Sequence, residues 1–533
     1  MEHYDHIVVG AGSAGAALAA RLAGAGKSVL LLEAGGSGRH PWVNIPLGYG
    51  KVFYDARFNW KYTTEAEPEL NGRPIYWPRG KVLGGSSAIN AMVWVRGHPN
   101  DYAEWAASAP GWGWDDVAPV FRRLEKWTGG ASAHRGGDGP LSVTDMDGAM
   151  HPLTRAYIKA AEQAGIPTNT DYNGATLEGA CSYQISTAGG RRASTAQAYL
   201  RRARSLKNLR IETGAMATRI VMEGRRATGI EYMQKGRAHV ARAGEVILSG
   251  GAINTPQLMM LSGIGPAAHL RDMGIDVVHD APHVGRNLMD HLGSDHLFRT
   301  SQASLNQVLR PWWGKALAGL QYVLTQKGPL AMSLNQAGGF VRLAGGDGPP
   351  DTQLYFSPLS YSSAPGGTRP LMSPDRFPAV RIGFNPCKPT STGSVTLRSA
   401  DPMAPPVMRG GYLATPHDRE LMVKGTREVR RIASMPALQG VIETELDPGP
   451  DCVTDDEILD FARRDSWTVF HQCGTCRMGQ DASASVVDPQ LRVHGIAGLR
   501  VADASIFPTI PTGNTNAPAV MVGERAFDLI SQG

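Results

Sequence analysis

The chain has 533 residues, 42% of them hydrophobic and 19% charged, with a formal net charge of +5. That length exceeds one compact core and predicts interleaved domains, while scattered arginine pairs such as Arg191-Arg192, Arg225-Arg226 and Arg430-Arg431 read as solvated faces and argue against a nucleic-acid groove. No apolar run approaches the roughly 20 residues of a spanning helix, no charged-then-apolar leader precedes Ile7, and five dispersed cysteines predict reduced thiols in a cytoplasmic protein.

The first elements predicted are a strand, a glycine turn, a helix and a second strand between Tyr4 and Gly35. Ile7-Val8-Val9 is an apolar β-branched run, and Gly10-Ala11-Gly12-Ser13-Ala14-Gly15 follows it with G-x-G-x-x-G spacing. Gly10 would make the tight turn, Gly12 would admit a pyrophosphate to the backbone, and Gly15 would let the helix pack on the strand. The helix is predicted over 14–25, its free N–H groups aimed at the phosphates. A buried strand over 28–32 then ends on Glu33, whose carboxylate can accept from both ribose hydroxyls of an adenosine. This stretch leaves NAD and FAD both open.

Between Gly35 and Pro78 the chain is irregular and dense in Gly, Pro and aromatics, too long for a connector. In the block 77–92 glycines and small hydroxyls lie where backbone must approach something flat or anionic, with Arg79 and Lys81 supplying positive charge. Helices are predicted over 153–165 and, capped by Ser194/Thr195, over 191–204. Short strands are predicted over 209–212, 217–222, 229–234 and 238–241 as a meander, then a buried strand over 245–248. Ser249-Gly250-Gly251 leads into a helix with Pro256 in its early turns, repeating the opening device. After about Leu292 hydrophobic alternation replaces the α/β rhythm, with strands predicted over 353–356, 380–384 and 393–398 and a helix over 417–434. Trp313, Leu317, Leu320 and Leu324 recur on one helical face, which predicts a lid, a membrane-surface contact or a helix packed on the core.

Four ordered blocks resemble the glucose–methanol–choline oxidoreductases, FAD enzymes that oxidise alcohols, across nearly the whole chain. They are Gly10 to Glu33; Arg79-Gly80-Lys81-Val82-Leu83-Gly84-Gly85-Ser86-Ser87; Gly251-Ala252-Ile253-Asn254-Thr255-Pro256 through Gly265; and His471-Gln472-Cys473-Gly474-Thr475-Cys476 with Val501-Ala502-Asp503-Ala504-Ser505 and Gly513-Asn514-Thr515-Asn516. The wording Asn90-Ala91-Met92-Val93 is similar to the choline-dehydrogenase-like branch, which includes bacterial membrane-associated alcohol dehydrogenases. The resemblance implies an α/β, Rossmann-like FAD-binding domain interleaved with a substrate domain built on an antiparallel sheet with helices. We expect 1–292 to be mainly FAD-binding, with a flavin loop at 77–97 and some substrate-domain segments. Residues 293–465 would be mainly substrate-binding, and 466–533 would return to the FAD domain with the catalytic pair.

The same resemblance implies FAD rather than NAD, held by Gly10, Gly12, Ser13, Ala14, Gly15, Glu33, Ala34, Arg79, Val82, Gly84, Gly85, Ser86, Ala217, Asp503 and Ala504. Asn90, Ala91, Met92 and Val93 would run beside the flavin ring, and Asn516 would touch it. Some relatives tether the flavin through a histidine where this chain has Ile89, so the FAD is expected to be non-covalent. The family's flavin-facing histidine falls on His471, an imidazole suited to taking a hydroxyl proton, and Asn514 would hold the substrate oxygen. Trp467 and Phe470 beside His471, and Tyr355 opposite, are candidate pocket walls. His471-x-Cys473-x-x-Cys476 lacks a fourth ligand, so no metal is expected. The activity implied is oxidation of a primary alcohol to an aldehyde, with a quinone, another carrier or oxygen as acceptor; a light-driven fatty-acid decarboxylase, also found in the family, is the alternative of another class.

Overall fold

His3–Val9 starts at the surface and ends fully buried at Ile7 and Val8, because β-branched side chains there pack on both faces of a parallel layer. In this computed structural model, which describes residues 3–346, 348–361 and 373–532, the strand lies parallel between Val29–Glu33 and Arg237–Leu248. Leu209–Thr213 extends the parallel layer past Val29–Glu33, and Leu499–Val501 pairs parallel with Val246–Leu248.

The predicted meander is thereby corrected. Leu209–Thr213 belongs to the parallel layer, and the two strands expected at 238–241 and 245–248 are one, Arg237–Leu248. Its first half pairs antiparallel with Arg226–Gln234, which pairs with Ala215–Glu223; its second half runs beside the opening strand. One long strand thus carries the chain from meander to Rossmann layer. Helix Ser13–Gly24 covers this layer and is backed by the final helix, Asn516–Gln532. A Cβ on Gly523 would stand 2.3 Å from the Ala14 carbonyl oxygen, so glycine is what lets the two helices touch.

A second sheet is antiparallel throughout, in the order Ile442–Asp447, Leu292–Thr300, Ala379–Pro386, Thr352–Ser357, Ala337–Val341, Gly179–Ser182. The strands expected over 353–356 and 380–384 are present as Thr352–Ser357 and Ala379–Pro386, buried at every residue. One face meets helix Pro416–Ala433, where Gly425 leaves room for the Phe384 ring, and the other faces the cavity described below.

One helical expectation changes, and for another helix one of three alternatives falls away. Arg191–Arg192 is a short strand paired with Thr187–Ala188, and helical structure starts only at Ala196 as a wide turn to Leu200, followed by Arg201–Ala203. Thr195 stands at the N-cap but makes no side-chain capping bond: its hydroxyl donates to the Gly12 carbonyl at 3.3 Å and meets Ser87 Oγ at 3.1 Å, stitching this segment to the glycine turn. Helix Trp312–Thr325 does not bury the face of Trp313, Leu317, Leu320 and Leu324 in the core; its inward face is Gly314, Ala318 and Tyr322. Among the described residues no helix is long and apolar enough to cross a membrane.

Candidate active site

A single cavity of about 660 Å³ runs from the glycine turn of the first sheet to the buried face of the second. At one end the chain offers backbone. Gly10 has φ +102°, and a Cβ there would fall 2.3 Å from Ser249 O; a Cβ on Gly15 would fall 2.0 Å from Gly10 O. Side chains at these positions would drive the first helix off the sheet, so the glycines keep its free N–H groups at the cavity edge. Glu33, at the end of the neighbouring strand, lines the same end and accepts from Ala11 N at 3.1 Å and Gly35 N at 2.8 Å, one to each carboxylate oxygen. Each oxygen keeps a second lone pair for a ribose hydroxyl. Burial pushes the Glu33 carboxyl up to about 7 against those two N–H donors, so added hydroxyl donors would favour its charged form.

Ser13, Ala14, Ala34, Gly85, Ser86, Ala217, Asp503 and Ala504 line the same cavity, as do Gly12, Asn90, Ala91, Met92, Val93 and Asn516. Asp503 accepts from Gly251 N at 2.8 Å, Thr255 Oγ1 at 2.6 Å and Ser505 N at 2.7 Å, which ties the second glycine-opened helix to the chain's last block. Asn516 Oδ1 takes the Ser13 hydroxyl at 2.7 Å. Three expected cofactor residues lie behind the wall instead of in it. Gly15 packs helix on strand; Val82 is fully buried beside Gly36; Gly84, with φ +93°, donates its N–H to Ala11 O. Both expected cations also have protein partners. Lys81 places its ammonium 4.4 Å from the Trp60 ring centroid, and Arg79, though it lines the cavity, donates to the carbonyls of Pro78 and Phe470. Arg79 therefore braces the loop that carries His471, and burial lowers its pKa to about 10.

The other end is built from side chains. His471 Nε2 lies 3.1 Å from Asn514 Nδ2, and His471 Nδ1 lies 2.9 Å from Nδ1 of His291, a residue sequence reasoning missed. Nε2 of His291 is 2.9 Å from the Cys387 carbonyl oxygen, which can only accept. His291 must therefore donate through Nε2 and accept at Nδ1. His471 in turn donates through Nδ1, leaving its Nε2 lone pair directed at Asn514. Gln353 Nε2 donates to Asn514 Oδ1 at 3.0 Å, which turns the Asn514 amide so that its NH₂ faces the histidine. Burial, then His291, then Arg79, hold the His471 imidazole well below its usual pKa, and burial brings His291 down to about 4, so both rings are neutral near pH 7.

Asp290 locks this end to the second sheet. Its carboxylate accepts from the backbone N–H of His471 at 2.8 Å, from Gln472 Nε2 at 2.6 Å, from Tyr412 Oη at 2.5 Å and from Thr468. Phe470, immediately before His471, is held at φ +68°, and Met92 on the cavity wall at φ +67°. Both are costly for a side-chain-bearing residue and persist because their surroundings fix them.

Trp467, Phe470 and Tyr355 all line the cavity. Phe53, Tyr54 and Tyr76 extend the wall, with Phe53 and Phe470 ring centroids 5.3 Å apart and Tyr54 stacked on Tyr76. Four charged residues at this end gave no sequence signal: Asp295, paired with Arg381 at 3.0 Å, together with Asp465 and Arg73. They come from separate segments and meet only in the fold. Among the described lining residues there is no cysteine, and His471 is the one histidine.

The profile of the GMC oxidoreductases matches residues 4–293, and its C-terminal part matches residues 389–523. The chain is 44% identical to an oxygen-dependent choline dehydrogenase of Rhizobium etli, covering 99% of this chain and 95% of the relative. It is 41% identical to an alcohol dehydrogenase [acceptor] of Pseudomonas putida over the same shares. Among solved structures, pyridoxine 4-oxidase from Mesorbium loti superposes with a TM-score of 0.90 at 30% identity, covering 99% of both chains. The glycine cradle, the paired backbone donors on Glu33 and the cavity joining them to His471 fit FAD, the cofactor of this family. The chain belongs to the GMC oxidoreductases.

Proposed function

We propose that this protein oxidises a primary alcohol to an aldehyde, with His471 as general base and Asn514 orienting the hydroxyl. The observation that carries the reading is the Nε2 lone pair of a buried, neutral His471, the ring's one basic position, which accepts from the Asn514 amide. Bound FAD supplies a hydride acceptor. The alcohol oxygen would replace the 3.1 Å bond between the two, giving its proton to His471 Nε2 and accepting from Asn514 Nδ2. As Nε2 gains the proton, the Nδ1–H bond to His291 becomes charge-assisted and shares the new positive charge. His291 and Gln353 thus hold the two reacting groups in the one orientation that works.

The proposed substrate has an uncharged body. Asp295 and Asp465 at the outer end are balanced by Arg381 and Arg73, while Phe53, Tyr54, Trp467 and Phe470 supply apolar wall. A quaternary ammonium is attracted by aromatic faces, but it would meet no net negative charge here. Aliphatic or aromatic primary alcohols are therefore favoured over choline. A quinone or other carrier is the proposed acceptor, as in the Pseudomonas putida relative's name, with oxygen as the alternative; the setting proposed is the cytoplasm, at the inner face of the membrane.

Anaerobic mixing of the holoprotein with aliphatic, aromatic and amino alcohols tests this. Bleaching of the oxidised flavin by neutral alcohols, faster than by choline, is expected. Failure of every alcohol, with alkane formed from a long-chain acid under light, would replace the reading with a decarboxylase. We also propose that the FAD is non-covalent, since Ile89 offers the cavity only an aliphatic side chain; acid precipitation should leave the colour in the supernatant.

A further inference from the structure

Helix Trp312–Thr325 is inverted relative to an ordinary surface helix. It turns small residues inward, Gly314 and Ala318, with Tyr322, and large apolar ones outward. Trp312 is 81% exposed, Leu324 72% and Val323 71%, joined by Trp313, Leu317 and Leu320. Of the twelve large apolar side chains exposed among the described residues, six stand on these four turns, and Val308 lies just before them. At 100° per residue, positions 312, 313, 316, 317, 320, 323 and 324 form one continuous arc, and every residue on it is apolar. Scattered exposed apolar residues need no explanation, but a contiguous patch marks a contact surface.

The helix is fixed in this pose. A Cβ on Gly314 would lie 2.1 Å from Val308 O, so the helix is seated against the preceding turn. Tyr322 donates its hydroxyl to Gly190 O at 3.0 Å, and Arg191 Nε donates to Gln326 at 3.1 Å. Its inner face packs in a cluster with Tyr49, Ile89 and Leu334, which also line the cavity. The outward arc is therefore a rigid surface one layer away from the active site.

Charge selects the occupant. No Asp or Glu occurs between Asp295 and Asp347, whereas Arg310, Lys315 and Lys327 flank or edge the arc. A second copy meeting this face about a twofold axis would bring like charges together. An anionic lipid surface would pair with them while accepting the apolar arc, and tryptophans with a neighbouring lysine suit the headgroup boundary. We propose that helix Trp312–Thr325 is the docking surface by which this protein lies on an anionic lipid bilayer. The proposal does not depend on which alcohol or acceptor is used.

The test is flotation of the FAD-loaded protein with phosphatidylcholine vesicles, with and without phosphatidylglycerol, at low and high salt. The parent should float with the anionic vesicles and less so in high salt. Leu317→Ser/Leu324→Ser should bind roughly tenfold more weakly or worse, while keeping the parent's flavin spectrum and rate of flavin reduction. Lys315→Glu should lose the preference for anionic lipid and keep the fold. Absence of flotation by the parent, or equal flotation of parent and double variant, would overturn the proposal. A concentration-dependent dimer that the double variant abolishes, without flotation, would assign the face to a second copy and overturn it equally. Because the readout is binding and not turnover, its outcome is separate from that of the alcohol panel.

Discussion

The two ends of the cavity are made in opposite ways. The Gly10–Glu33 end is backbone: tight glycines, helix N–H groups and one carboxylate, all within about two dozen residues of chain. The His471 end is side chain held by side chain, with partners 180, 43 and 161 positions apart for His291–His471, His471–Asn514 and Gln353–Asn514. A cofactor with repeating phosphate and ribose groups is served by a local backbone motif. A reacting atom needs one lone pair at one place, and only a closed network of neighbours fixes it.

The sharpest way to break the comparison is to damage one end and read the other. Gly10→Ala puts a Cβ 2.3 Å from Ser249 O at φ +102°, so it should yield protein largely devoid of FAD, measured as the flavin-to-protein absorbance ratio. His471→Ala should do the reverse. Its flavin content should match the parent, while anaerobic flavin reduction slows by about 10²–10⁴-fold, the usual worth of a general base. A variant that reduced its flavin as fast as the parent would remove His471 from that role.

A smaller effect separates position from chemistry. His291→Phe leaves the Nδ1–H of His471 without its acceptor, so the ring loses its preferred tautomer, and flavin reduction should fall by up to about 10²-fold. His291→Gln, which can accept through its amide oxygen, should recover part of the loss. If Phe and Gln variants behaved alike, His291 would be filling space and nothing more.

The smallest effect is on stability. Both imidazoles are depressed in the folded state, His291 to about 4 and His471 well below 6.5, against about 6.5 when unfolded. As pH falls below 6.5 the unfolded chain takes up protons that the folded one refuses. Their stabilising contribution is thus complete above 6.5 and lost on acidification, for His291 by at most about 1.4 kcal/mol per pH unit between 6.5 and about 4. Denaturant midpoints of the parent should drop between pH 6.5 and 5 more steeply than those of His291→Phe.

The resemblance at Gly10–Gly15, Glu33 and the His471 and Asn514 blocks was legible in the sequence because those roles depend on local spacing. A glycine that must turn, or a strand that must end on a carboxylate, is written within a few neighbouring residues. The same locality misled at Thr195, where a side-chain cap was read from neighbours in the chain. In the fold its hydroxyl is stitched to Gly12 and Ser87. The apolar face of 313–324 was likewise visible as periodicity, but its direction was not. Periodicity states that one face differs from the other, and only packing decides which face turns inward. His291, Gln353, Asp295 and Arg381 carried no signal at all, since each acquires its partner from a distant segment. By itself the sequence determined what is built from consecutive backbone: the α/β opening and the family. Tertiary structure alone decided the tautomer of His471, the charge balance of the pocket and the outward face of one helix, because hydrogen-bond partners and burial are properties of neighbours in space.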